Sequence, residues 1–264
     1  MRSRRTISKA VLVAATFALV AGMFSLGTPR AEAAGPSGPD TCLWGFVWRE
    51  ANVSDHVCVP PATRSQTWTD NSLAASRRSP NGGPYGPDTC KQGFVWREAF
   101  AGDHVCVTPA TRSQAAADNA AGPSRRALDT FTRSGSFSSA NCVWGNDALD
   151  LNPNGSFSFR GHLTNDCVFP YNITVACVVR LLDGTGLSFE ESGSIGATIF
   201  SRANHDWNKT GISAQIANNW AKIGRNAATD GSTQCRLDYT LNVGAVIGAL
   251  KDAAGVVGAI IAIV

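Results

Sequence analysis

The chain predicts a mainly β fold with some α: two small disulfide-stapled hairpin-plus-helix repeats, then a C-terminal β-sandwich or barrel-like domain with one or two helices. Three observations carry that expectation. A Cys-aromatic-Cys stretch occurs twice, as GPDTCLWGFVWREANVSDHVCV from Gly38 and GPDTCKQGFVWREAFAGDHVCV from Gly86. All eight cysteines fall at or after Cys42. From about Leu128 the pattern changes to alternating apolar and polar runs broken by Gly- and Asn-rich turns.

Residues 1–33 read as a secretory signal peptide. Arg2, Arg4, Arg5 and Lys9 form a basic opening, Ala10 to Leu26 an apolar run, and Ala31-Glu32-Ala33 a small-x-small pattern that places cleavage after Ala33. The competing reading is a membrane anchor, but the run is short for one and no stop-transfer charge cluster follows. Arg4-Arg5 leaves both the Sec and the twin-arginine routes open. Without this segment, five of the 23 basic and one of the 20 acidic residues are gone, and 18 basic and 19 acidic residues leave a formal charge of −1. The basic balance therefore belongs to the signal, and nucleic acid is not an expected partner. An even set of cysteines in an exported chain reads as disulfides, with localisation outside the cell.

The two copies, Gly38–Asn71 and Gly86–Asn119, align without a gap at an offset of 48 residues, and 25 of 34 positions are identical. Repeat 1 is assigned to 38–75, a Gly/Pro/Ser-rich linker to 76–85 and repeat 2 to 86–121, with a second linker at Ala120–Arg126. In each copy, Phe46-Val47-Trp48 and Val57-Cys58-Val59 (with their counterparts) are short β-favouring runs either side of a polar turn. A helix follows, and Thr108-Pro109 reads as an N-cap with proline at the first helical position. Pairing Cys42 with Cys58 and Cys90 with Cys106 makes each copy self-contained, and closing such a loop stabilises by about 3 kcal/mol. A unit this small needs the staple.

The third piece, 128–264, reads as β. DALDLNPNGSFSFRGHL is two alternating runs around Asn152-Pro153-Asn154-Gly155, a strong turn signal. Ile173 to Leu181 alternate before DGTG at Asp183–Gly186, and LSFEESGSIGATI returns. Cys235 to Val243 alternate as a half-buried strand, and Ile212, Ile216, Trp220 and Ile223 form a helical stripe stopped by Gly224. Cys177 and Cys235 share the apolar side of their strands, which favours pairing them and leaves Cys142 with Cys167; four cysteines allow three wirings. The C-terminal stretch Gly244–Val264 is apolar except for Lys251 and Asp252, with Val246, Leu250, Ala253, Val257, Ile260 and Val264 at helical spacing. It reads as a closing helix, with membrane contact as the alternative. Two central charges and the short uncharged run after them work against insertion.

The motif GPDTC…GFVWREA…DHVCV.PATRSQ…DN resembles a module found singly or in tandem in secreted proteins of actinobacteria and other soil bacteria. The downstream NPNGSFSFRGHL…VVRLLDGTG…SGSIGAT…NNWAKI is similar to a β-rich domain of such proteins. The resemblance spans nearly the whole chain after the signal. It implies secretion and a modular build, and it transfers no catalytic residue.

Candidate chemistry is sparse. FVWRE offers Trp48, Arg49 and Glu50, and in the second copy Trp96, Arg97 and Glu98, as a surface on which a sugar stacks or a peptide is clamped. The bland alternative makes the aromatics the packing of a tiny hairpin. Cys42 with His56-x-Cys58, and Cys90 with His104-x-Cys106, lack the four ligands of a structural zinc site, so no metal and no cofactor is expected. No GxSxG, HExxH or SxxK motif occurs; His162 and His205 stand outside any motif, Asp147 and Asp150 read as turn aspartates, and Glu190-Glu191 on a strand point to opposite faces. The favoured function is a secreted non-catalytic binding protein holding a carbohydrate or cell-envelope polymer, because duplication raises avidity without new contacts. A membrane-active protein working through its C-terminal segment, and a hydrolase with an unrecognised site, are the alternatives.

Overall fold

The computed structural model describes residues 38–138, 142–196, 202–239 and 243–264. The first copy contains β1 (Val47–Trp48), β2 (Cys58–Val59) and α1 (Pro61–Arg77); the second contains β3 (Val95–Trp96), β4 (Cys106–Val107) and α2 (Pro109–Ala121). Each hairpin is antiparallel, with Val47 opposite Val59 and Val95 opposite Val107. Each is closed by its own disulfide, Cys42–Cys58 and Cys90–Cys106. The Thr108 hydroxyl caps α2 by accepting from the Thr111 N–H.

The staples lie within each copy, but the remaining polar groups are satisfied across the pair. Arg49, 1% exposed, donates to both carboxylate oxygens of Asp55 at 2.7 and 3.0 Å, then to the Ala99 and Ala115 carbonyls of the other copy. Arg97 grips Asp103 at the same distances and reaches back to the Thr67 carbonyl on α1. Thr67 and Ala115 are equivalent positions, so the two bonds are related by a pseudo-two-fold.

The helix ends cross over too. Arg77 donates to Asp70 on its own helix and to the Cys106 carbonyl of copy 2, while Arg125 donates to Asp118 and to the Cys58 carbonyl of copy 1. The Lys91 N–H donates to the Arg77 carbonyl and the Leu43 N–H to the Arg125 carbonyl, both at 2.9 Å. Arg78 pairs with Asp88, and Arg126 with Asp40. The segments read as linkers therefore carry the cross-copy contacts. Helix α1 runs through Arg77, two residues into the first of them, because Arg77 finds its partners there.

The β-domain is two four-stranded sheets face to face. Sheet one has the order β10-β7-β6-β5, from β5 (Phe131–Ser138), β6 (Val143–Leu151), β7 (Ser156–Asn165) and β10 (Ala203–Ile212), all antiparallel. Sheet two has the order β11-β8-β9-β12, from β8 (Tyr171–Arg180), β9 (Gly186–Ile195), β11 (Thr233–Asp238) and β12 (Ile260–Ala262), with β12 parallel to β9. The Asn152–Gly155 turn joins β6 to β7, where Gly155 takes φ +85° and the Gly155 N–H donates to the Asn152 carbonyl. Leu149, Phe159, Leu163, Val175, Cys177 and Phe189 are among the fully buried residues between the sheets. Cys142–Cys167 and Cys177–Cys235 complete the four disulfides, the latter joining residues directly opposite on β8 and β11.

Four details depart from the sequence expectation. The strand expected from Cys235 to Val243 ends at Asp238, and Val243 already begins a helix. Ile212 ends β10 and is 80% exposed; the helix α3 (Ala214–Asn219) and a following single turn bury only Ile216, Trp220 and Ile223 of the expected stripe. The C-terminal apolar stretch is not one helix: α4 (Val243–Ala254) stops at Gly255, whose φ is +70°, and the chain returns as β12. Helix α4 buries Val246, Leu250 and Ala254 against Ala176 and Val178 on the outer face of sheet two, while Ala253 and Val257 stay exposed. Asp147 lies mid-strand in β6, and Asp150 pairs on the outer face with Arg160; neither flanks a turn.

The doublet and the sandwich form one compact unit. Copy 1 makes the joint: Leu43 is part of the sandwich core, Phe46 packs against it and the Trp44 N–H donates to the Ala221 carbonyl at 2.7 Å. Copy 2 carries Lys91 and Gln92 at those positions, both exposed. Replacing Leu43 with lysine, the residue its twin uses, is expected to cost about 3 kcal/mol, since it removes a buried aliphatic group and desolvates an amine. Chemical denaturation of wild type and Leu43→Lys measures this; Lys91→Leu, at the exposed twin, is expected to stay within about 0.5 kcal/mol.

Candidate functional site

Arg49 and Arg97 are removed from the expected ligand surface by their own folding. In each FVWRE stretch the residue after arginine adopts a left-handed backbone, Glu50 at φ 56° and Glu98 at φ 57°. This costs about 1 kcal/mol for a residue with a Cβ. It accompanies the tuck of the arginine onto the aspartate six residues later, whose carboxylate also accepts the Ala51 or Ala99 N–H. Burial by itself raises the Asp55 pKa, but the Arg49 hydrogen bonds and charge and the Ala51 N–H outweigh it and hold the carboxyl below 3.8. The arginines are structural, and their donors are not free to read a ligand.

Trp48 and Trp96 are half-buried and held alike. The Trp48 indole N–H donates to the Asp40 carbonyl and the ring stacks on His56 at 4.0 Å; the Trp96 N–H donates to the Asp88 carbonyl and the ring stacks on His104 at 4.1 Å. Each histidine is turned by its Nδ1 contact, 3.0 Å from Asp40 or Asp88. With both cysteines of each copy in a disulfide, no thiolate remains there for a metal. Among the described residues the one cluster of metal-ligating types is Asp147 with Cys177 and Cys235, and its two sulfurs are bonded to each other.

Among the described residues, the second copy adds an open aromatic wall. Tyr85, 72% exposed, meets the Trp96 ring edge-on at 5.7 Å. Tyr85, Phe94 and Trp96 line a cleft of about 350 Å³, with Glu98 and Arg112 as a charged pair in its wall. A second cleft of about 460 Å³ opens beyond Trp96 and Glu98, toward Phe100 and His104. In the first copy, Arg64 lies over the exposed Trp68, a position that is alanine in copy 2. Tyr85 sits at the end of a segment read only as linker. The signal available was an aromatic among Gly and Pro with no neighbouring apolar residue to pack on. Arg112 has a twin in Arg64, so sequence gives no sign that it faces a cleft in one copy.

In the β-domain, His162 contacts Asp206 (Nδ1 to Oδ1, 2.6 Å) and Thr164 (Nε2 to Oγ1, 3.0 Å). This has the outline of a nucleophile, base and carboxylate, yet Thr164 is 3% exposed and donates its hydroxyl proton to Asn204, so it is not a poised nucleophile. His205 contacts Glu191 of the opposite sheet at 2.9 Å, beside Lys209. Asp147 faces the core with Arg133 and has one carboxylate oxygen without a hydrogen-bond partner. Burial raises its pKa and Arg133 only partly offsets that.

The chain matches no protein-family model, no curated protein and no solved structure.

Because the folded Asp147 carboxyl holds its proton to a pH above 3.8, the native state binds more protons than the unfolded chain from there up to the raised pKa. Its contribution to stability is thus full below 3.8 and declines as pH rises through the raised value. Unfolding free energies from pH 4 to 7 are expected to fall more steeply with rising pH in wild type than in Asp147→Asn. Asp55, with its lowered pKa, works oppositely, its contribution being lost as pH drops below 3.8.

Proposed function

We propose that this is a secreted, non-catalytic binding protein whose doubled module holds a carbohydrate or cell-envelope polymer at the Tyr85–Trp96 cleft. The observation that carries the reading is the pre-set aromatic wall on copy 2. The Trp96 indole is fixed by its N–H bond and backed by His104, Tyr85 stands open beside it, and Glu98 and Arg112 supply polar groups at the edge. Aromatic faces take the apolar faces of sugar rings, and a few placed polar groups orient them. Four disulfides suit an oxidising compartment, and the basic-apolar-AxA opening supports export with cleavage after Ala33.

The competing readings lose support on particular residues. No described helix is long and apolar enough to cross a membrane, and the apolar stripe of α4 is already packed on sheet two. The nearest arrangement to a hydrolytic site has a buried threonine whose proton is directed elsewhere.

The test is sedimentation of the mature chain with insoluble peptidoglycan, chitin and cellulose. Saturable binding to one polymer is expected, reduced at least tenfold in Tyr85→Ala, an exposed position whose loss leaves the fold intact. Binding to none of them overturns the proposal, as does full binding by Tyr85→Ala.

A further inference from the structure

The two outer faces of the sandwich are built oppositely. Sheet two carries Ala176 and Val178 on its outer side, where α4 covers them. Sheet one is polar outside: β6 directs Trp144, Asn146, Ala148 and Asp150 outward while Val143, Gly145, Asp147, Leu149 and Leu151 are buried. From the β6–β7 and β7–β10 registers, three rows cross this face: Trp144, Thr164 and Asn204; then Asn146, His162 and Asp206; then Ala148, Arg160 and Asn208. Successive rows are two residues apart, so the three span about 13 Å.

From these rows we infer that the outer face of sheet one is a second binding site, for a neutral saccharide chain. Three features support it. First, the face is not flat. The small side chain of Ala148 leaves a trough of about 470 Å³ over the Gly161 backbone, bordered by Asn146, Arg160, Asp206 and Asn208. Second, its polar groups are oriented before any ligand arrives. Asp206 holds His162, whose other nitrogen meets Thr164, which in turn donates to Asn204. Donors and acceptors fixed in this way lose little freedom on binding. Third, Trp144 stands one row beyond the trough, 42% exposed, its indole N–H anchored on Asp166 at 3.0 Å. Arg202, its side chain 67% exposed, lies over the Trp144 ring while paired with Asp166.

Charge selects the class of ligand. Arg160 is paired with Asp150, Arg202 with Asp166 and His162 with Asp206. With each arginine matched by a carboxylate, the face has no unpaired arginine to attract a polyanion. It presents amides, hydroxyl groups and carboxylates, which suit the hydroxyls of a neutral sugar. The proposal shares its ligand class with the module reading but uses different residues, so either can fail alone. Together the two sites let one molecule bridge two polymer strands.

The test titrates the mature chain with cello- and chito-oligosaccharides, with heparin as the polyanion, and follows binding by calorimetry and by amide shift perturbation on β6, β7 and β10. A neutral oligosaccharide is expected to bind, to shift these strands, and to lose at least tenfold in affinity in both Trp144→Ala and His162→Ala while Tyr85→Ala still shows the strand shifts. If both β-domain variants bind as wild type and Tyr85→Ala abolishes binding, this inference falls and the module reading stands. If Trp144→Ala abolishes binding and Tyr85→Ala is silent, the sheet-face site stands and the module reading falls. Heparin binding at these strands with the neutral chains inert overturns the inference, as does a wild type that binds none of them.

Discussion

Arg49 on Asp55 and Arg97 on Asp103 are the constraint on which the doublet depends. A guanidinium with 1–2% of its residue exposed cannot be left short of partners, because an unpaired buried charge costs several kcal/mol. Each copy supplies the aspartate but not the rest of the shell. The remaining donors end on Ala99, Ala115 and Thr67, carbonyls of the opposite copy. The duplication is therefore a folding requirement as well as a repetition. A single copy would leave donors of the buried arginine without acceptors, and would reduce Arg77 or Arg125 to the aspartate of its own helix.

That symmetry frees the copies to differ where they face different neighbours. Nine of the 34 aligned positions differ, and two of them, Leu43 against Lys91 and Trp44 against Gln92, fall where copy 1 meets the sandwich and copy 2 meets water. The crossed pairs and the hairpin aromatics are common to both. What distinguishes the open cleft is Tyr85, contributed by the connecting segment, together with Arg112 turned to Glu98. The cleft proposed as the binding site thus sits on a framework held together by the arginine pairs, in keeping with sites being grafted onto folds.

The fold was largely legible because disulfide logic and alternation are local signals. Self-contained staples, the Asn152–Gly155 hairpin and the shared face of Cys177 and Cys235 all follow from short-range pattern. Strands β5 and β10 were not legible, since FTRSGSFS and ANHDWNKTGI are too polar to show a buried face. Their outer sides belong to the bare face of sheet one. Two residues of the expected ligand surface, Arg49 and Arg97, are buried for a physical reason. An arginine beside a tryptophan looks available in sequence, and only the left-handed turn at Glu50 and Glu98 shows it directed inward onto an aspartate. Ser-Arg-Arg at 76–78 and again at 124–126, at the same offset of 48, extended the repeat into both supposed linkers and was the missed signal for the crossed helix ends.

Hydrogen exchange on Arg49→Ala tests the crossed architecture most directly. If the copies are one interlocked unit, amides of copy 2 around Ala99 and Ala115 lose protection with those of the copy 1 hairpin, each by on the order of a hundredfold or more, while the strands of the sandwich hold theirs. Loss confined to copy 1, with copy 2 as protected as in wild type, would contradict the account.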